Sequence, residues 1–139
     1  MSEAQQIYEQ QRVLEQLLMR LAGDEQRIRA SMVEAMGAID AIRSIKDGGD
    51  CQTLLQIGYG AMLKARVSSN DLIPVSVGSG VVVEKSPDSA INYLEARIKE
   101  LTVSLNNTVA GRSEIMSKME QGNRRLEDLA RSAQSASRN

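Results

Sequence analysis

Two copies of one short pattern lie back to back in the middle of this chain, between Thr53 and Lys85. The first reads Leu55-Gln56-Ile57-Gly58-Tyr59-Gly60-Ala61-Met62-Leu63-Lys64 and the second Val75-Ser76-Val77-Gly78-Ser79-Gly80-Val81-Val82-Val83-Glu84. Each is an apolar run, a Gly-x-Gly break and a second apolar run. Glycine reaches positive φ without a Cβ clash, so each break permits a tight reversal. The flanks alternate with period two, Leu63, Ala65 and Val67 on one face and Met62, Lys64 and Arg66 on the other. Ile73, Val75 and Val77 share a face of the third run, and Val81 and Val83 a face of the fourth. The spacing predicts two β-hairpins in tandem over 53–85, joined by the polar turn Ser68-Ser69-Asn70-Asp71. A glycine-rich loop in an ordinary α+β domain is the alternative. A phosphate cradle is weaker still, because neither Gly-x-Gly has a third glycine or a following Lys-Ser/Thr pair.

Composition narrows the function classes. The 139 residues suffice for one domain, yet they include no His, Trp or Phe and only three Tyr. Aromatics supply much of a compact core, so their scarcity points away from a thick globular core. A net charge of -1 with acids and bases interspersed argues against nucleic-acid binding. Without histidine, a His-based triad is excluded and the commonest zinc ligand is gone, so no catalytic residue, metal or cofactor is expected. The single Cys51 has no internal disulfide partner, which suits a reducing compartment. No signal-like leader and no membrane span is expected.

Both flanks of the duplication carry heptads. In the first helix, expected over 3–46, one row holds Ile7, Leu14, Leu21, Ile28, Ala35 and Ile42. The other holds Ala4, Gln11, Leu18, Glu25, Met32 and Ile39. Only Gln11 and Glu25 break it. Such spacing is a coiled-coil signature, and the helix would be roughly 65 Å long. Asp47-Gly48-Gly49-Asp50 ends it, with a glycine able to take the left-handed cap position. A second helix is expected over 87–130, capped by Ser86 with Pro87 in its first turn, followed by a frayed tail over 131–139. Its rows run Ile91, Ile98, Leu105, Arg112, Met119, Leu126, Ala133 and Leu94, Leu101, Thr108, Ile115, Gly122, Leu129, Ala136, with Arg112, Thr108 and Gly122 the departures.

The two helices leave one insert, so they pair antiparallel. Placing Ile42 beside Ile91 makes Ile39 meet Leu94, Ile28 meet Leu105 and Ile7 meet Leu126. The exceptions then meet too. Gln11 faces Gly122, and Glu25 faces Thr108 with Arg112 one layer away. Glu25 and Arg112 either form a register lock or remain two solvated charges.

A hairpin alone in water is marginal, and a four-stranded patch without a helix over it leaves open edges. The expected remedy is pairing with strands of other chains until the sheet closes. The residues expected to carry assembly are Leu55, Ile57, Gly58, Gly60, Leu63, Val75, Val77, Gly78, Gly80, Val81 and Val83. The fold class is thus α+β. It is a long antiparallel two-helix coiled coil with two tandem β-hairpins between the helices, assembling into an oligomeric β-barrel.

This order of helix, two Gly-x-Gly hairpins and helix resembles the alpha class of prefoldin subunits over nearly the whole chain, taken as one prefoldin-like domain over 1–139. Its most specific part is Ile57-Gly58-Tyr59-Gly60-Ala61 with Val77-Gly78-Ser79-Gly80-Val81. The resemblance implies a cytosolic hexamer of two alpha-class and four beta-class subunits joined through a double β-barrel. It implies ATP-independent capture of unfolded polypeptides at the coiled-coil tips and delivery to a group II chaperonin. No enzymatic activity, nucleic-acid partner or membrane partner is implied.

Off-core apolar residues gather near the expected tips: Tyr8, Val13, Leu17 and Met19 on the first helix and Met116 on the second. With Ile7, Leu126 and Leu129 they are the candidate client contacts, since flexible aliphatic groups suit promiscuous binding. Singly, each is also an ordinary exposed apolar residue. The rival function is a structural coiled-coil adaptor whose β insert docks one defined partner. An enzyme is disfavoured, because no nucleophile–base pair has positional support.

Overall fold

A computed structural model describes residues 2–138. Two long helices, α1 (Glu3–Gly48) and α2 (Pro87–Arg138), flank four strands: β1 (Cys51–Gly58), β2 (Ala61–Val67), β3 (Ile73–Gly78) and β4 (Val81–Lys85). The strands form two antiparallel hairpins that do not pair with each other, β1 with β2 and β3 with β4. By contacts the chain divides into two compact units. One joins the residues up to Ala30 with those from Val103 onward; the other is Ser31–Thr102.

The helix ends follow local chemistry. Ser2 and Gln5 close a reciprocal capping box, with Gln5 N donating to Ser2 Oγ at 3.2 Å and Ser2 N donating to Gln5 Oε1 at 3.1 Å. α1 runs two residues past the expected Lys46, and Gly49 then takes φ +70°, the left-handed stop that a Cβ would resist. At α2, Ser89 N donates to Ser86 Oγ at 3.2 Å, with Pro87 the first helical residue.

The second helix runs past its expected end at Ala130. α2 stays helical to Arg138: 131–138 contains no Gly or Pro, and its two Arg, two Ala and one Gln favour helix against three Ser. Asn139 lies outside the described residues. Ala133 and Ala136 are nevertheless exposed, so this last stretch continues the helix without packing.

In the first unit the helices pair antiparallel. Gln11 Nε2 donates to the Met119 carbonyl at 2.8 Å and to Asn123 Oδ1 at 3.0 Å. A Cβ at Gly122 would stand 2.6 Å from that same Nε2, so the glutamine fills the hole the glycine leaves. Glu25, only 8% exposed, takes Arg112 from the opposite helix and Arg29 from its own. Of the two readings left open by the sequence, the ion pair is the one that forms. The pair is carried by the long Arg112 side chain, which spans the layer between them.

In the second unit Ile39, Ile42, Ala90 and Ile91 form the buried cluster, with Leu94 and Ile98 packed against it. Arg43–Glu95 and Lys46–Asp88 ion pairs lie beside it. Ile73 and Val75 of β3 also rest on this cluster. The expectation of a β patch with no helix over it therefore holds only for β1–β2. Lys85, closing β4, lies 5.4 Å from the Tyr93 ring centroid on α2 and ties the same hairpin down again.

Candidate functional site

Both hairpins turn through the same two-residue loop. Tyr59 and Gly60 take φ +52° and +81°, and Ser79 and Gly80 take +52° and +75°. These are the left-handed values of a type I′ turn, whose twist matches that of the flanking strands. Gly58 at +133° and Gly78 at +110° precede the turns, each beside a register shift in its ladder. The four glycines expected at the assembly site are thus conformational: they set the turns, and nothing crowds them.

The linker works as expected. Asp71 N donates to the Ser68 carbonyl at 3.1 Å, and the Asp71 carboxylate accepts from Ser68 N at 2.8 Å. The first hairpin begins at Cys51 rather than Thr53, since Cys51 and Gln52 still find partners in Val67 and Arg66.

The hairpin side chains divide by surroundings. Leu55 and Leu63 are cross-strand partners, 51% and 55% exposed, and Ile57 beside them is also exposed. Val77, Val81 and Val83 are exposed on the second hairpin. Val75 differs from its companions in being turned onto the helix cluster, so it anchors the hairpin instead of presenting a free surface. The first hairpin is apolar on its other face too, where Leu54 and Met62 are exposed, and Tyr59 projects wholly into solvent at its tip. The repeat could not reveal Tyr59, because the duplicate position is Ser79.

In the first unit Tyr8, Val13, Leu17, Met19 and Met116 are exposed, while Ile7, Leu126 and Leu129 are half-buried at heptad positions. A groove beside Gly122 brings Ile7, Val13 and Leu14 together under a rim of Glu3, Gln10 and Arg125. Arg125 Nε donates to Glu3 at 2.7 Å and holds that carboxyl below its ordinary pKa, while Glu3 holds the guanidinium above its own. Among the described residues no cluster of metal-ligating side chains forms, and no helix is long and apolar enough to cross a membrane. What these surfaces offer is apolar contact area.

The comparisons agree with this geometry. The sequence matches the Prefoldin subunit family over residues 14–136. The chain belongs to the prefoldin family of chaperones. Its curated relatives are alpha subunits. Prefoldin subunit alpha of Nitrosopumilus maritimus is 34% identical over 132 residues, covering 95% of this chain and 91% of the relative. That of Methanoregula boonei is 37% identical over 110 residues, covering 74% and 72%. Among solved structures, filamentous PFD from Methanocaldococcus jannaschii, determined by cryo-EM, matches the fold with a TM-score of 0.69 at 23% identity, over 79% of this chain and 92% of that one.

Proposed function

We propose that this chain is the alpha-class subunit of a cytosolic, ATP-independent chaperone hexamer of two alpha-class and four beta-class subunits. Its hairpins join those of its partners in a closed β-barrel. Leu55, Ile57 and Leu63 pack inside that barrel, joined by Val77, Val81 and Val83. The ends of the paired helices capture unfolded polypeptides through Ile7, Tyr8, Val13, Leu17, Met19, Leu126 and Leu129, and the assembly hands them to a group II chaperonin.

The observation that carries the reading is the first hairpin, which exposes Leu54, Leu55, Ile57 and Leu63. An isolated two-stranded ribbon is marginal in water, and edge pairing with further strands stabilises it. The turn glycines support the role indirectly, since only a correctly twisted hairpin can join a barrel.

The test is dilution of a chemically denatured model protein into buffer with this chain and a beta-class prefoldin subunit, without nucleotide. Suppressed light scattering, together with a solution mass of six subunits, is the expected outcome. Aggregation at the rate of the buffer control would overturn the chaperone reading.

A further inference from the structure

Several helix-weakening features meet at one level of the first unit. Gly23 lies in α1 between Leu21 and Glu25. Gly111 lies in α2 against that same Leu21, since a Cβ there would stand 3.5 Å from Leu21 Cδ1. Glycine is the weakest helix former after proline, so both helices lose propensity at the same height. The core beside the glycines is ionic: Glu25 takes Arg112 across and Arg29 alongside, where the heptad would place an apolar knob. The α2 stretch leading into this level, Asn106-Asn107-Thr108-Val109, consists of poor helix formers. Thr108 Oγ1 donates to the Ser104 carbonyl at 2.8 Å, a back-bond that bends helices. Apolar row residues resume on both sides, Leu18 and Ile115 half-buried toward the termini and Ile28 and Leu105 half-buried away from them.

Packing accounts for neither glycine. An added Cβ at Gly111 would make ordinary contact with Leu21, and one at Gly23 would meet the end of the Arg27 side chain at 3.6 Å. Gly122 differs, because Gln11 fills its place. Gly37 also has room for a side chain, but α2 has no glycine before Gly111 to match it.

We propose that Gly23 and Gly111 form a hinge in the paired helices, about which the terminal part of the first unit bends. The Gln11 bonds to Met119 and Asn123 hold that terminal part together as one piece. The exposed candidate client contacts, Tyr8, Val13, Leu17 and Met19 on α1 and Met116 on α2, all lie on its side of the hinge. Bending therefore moves them as a group. The use of the hinge in capture rests on the client reading above: one set of apolar contacts can then follow non-native chains of different bulk.

The experiment is amide hydrogen exchange of the full chain as wild type, Gly37→Ala and the double variant Gly23→Ala/Gly111→Ala. In the wild type the amides of 22–26 and 108–112 are expected to exchange about tenfold faster than those of 14–18 and 115–119, although the latter lie nearer the chain ends. The double variant is expected to slow the hinge amides about fivefold in each helix, as the gain in helix propensity requires, and Gly37→Ala to leave them unchanged. Protection that falls steadily toward the termini, with no minimum at this level, would overturn the hinge. So would hinge exchange unaltered by the double variant. The same chains, each with a beta-class prefoldin subunit, are then compared in suppressing aggregation of a small and a large denatured protein. The double variant is expected to lose suppression of the larger one and keep that of the smaller. Equal suppression of both by the double variant would overturn the role of the hinge in capture. A wild type that suppresses neither overturns the client reading, while the exchange rates still decide the hinge.

Discussion

Gln11 occupies the space in which a side chain at position 122 would stand. Its Nε2 spans to the Met119 carbonyl and Asn123, while its Oε1 is buried without a donor. A polar residue at a core row position is costly unless paired, and here the helix opposite has given up a side chain to make room. The glycine itself costs α2 about 1 kcal/mol of helix propensity relative to alanine.

The pair should therefore couple. Gly122→Ala alone forces Gln11 to move and forfeits its two hydrogen bonds, about 1 kcal/mol each, which cancels or reverses the propensity gain. In a Gln11→Ala background the same change should stabilise by about 1 kcal/mol. Urea unfolding of the four proteins measures this, and additive effects would show that the two residues do not share a layer.

Glu25 makes a second, ionic layer. Glu25→Ala leaves the partly exposed Arg112 facing an apolar seam without its partner, and should cost about 2 kcal/mol after allowance for solvent. Replacing Glu25 and Arg112 together by leucine restores the heptad and should be neutral or stabilising. Thermal melts of the two variants are the check: a double variant as unstable as the single would mean that the charges do more than fix register.

Acid titration should report on Glu3. Its folded pKa lies below the ordinary glutamate value, chiefly because Arg125 donates to it. The sign follows from linkage: its contribution is present above the unfolded pKa and is lost as pH falls through the folded one. Carboxyl NMR should place the Glu3 midpoint below that of a free glutamate, and Arg125→Gln should return it. Lys46 behaves in the opposite sense. Asp88 raises its pKa, so its contribution is complete below the unfolded value and disappears as pH rises through the folded one.

The hairpins should separate folding from assembly. Leu55→Thr with Leu63→Thr removes exposed apolar surface while keeping residues that suit a strand and adding no like-charge pair, so the chain should keep its Tm and lose its partners. Ile73→Ala instead removes packing from the Ile39–Ile91 cluster and should cost about 1–2 kcal/mol. Melting curves beside solution masses distinguish the two effects.

Val13, Leu17 and Met19 changed together to serine should weaken suppression of aggregation and leave the oligomer's mass unaltered. They are exposed and remote in sequence from every strand. Full suppression by the triple variant would move client contact elsewhere.

Much of this was legible in the residues because the helices are governed by a short repeat. Every row member of α1, from Ala4 to Ile42, is buried or half-buried, and the two polar interruptions found their partners on α2. The turns were equally legible, since Gly-x-Gly leaves few alternatives. What sequence could not separate was the two hairpins. Their alternation is alike, and only the fold shows Ile73 and Val75 resting on helix while Leu55 and Ile57 do not. Ala90 escaped for a related reason. It lies outside both α2 rows, yet it is fully buried where β3 crosses the helix start. The extent of α2 beyond Ala130 was not legible, because a helical stretch that packs on nothing leaves no apolar repeat in the sequence.

The anchoring of β3 also bears on how such a chain can change over time. Because the downstream ribbon is held by the protein's own scaffold, the upstream one is spared any duty in keeping the monomer intact. On the proposed assembly, mutations there are filtered more by whom the subunit meets than by whether it folds, so a lineage could exchange one set of companions for another by altering a few side chains around Tyr59.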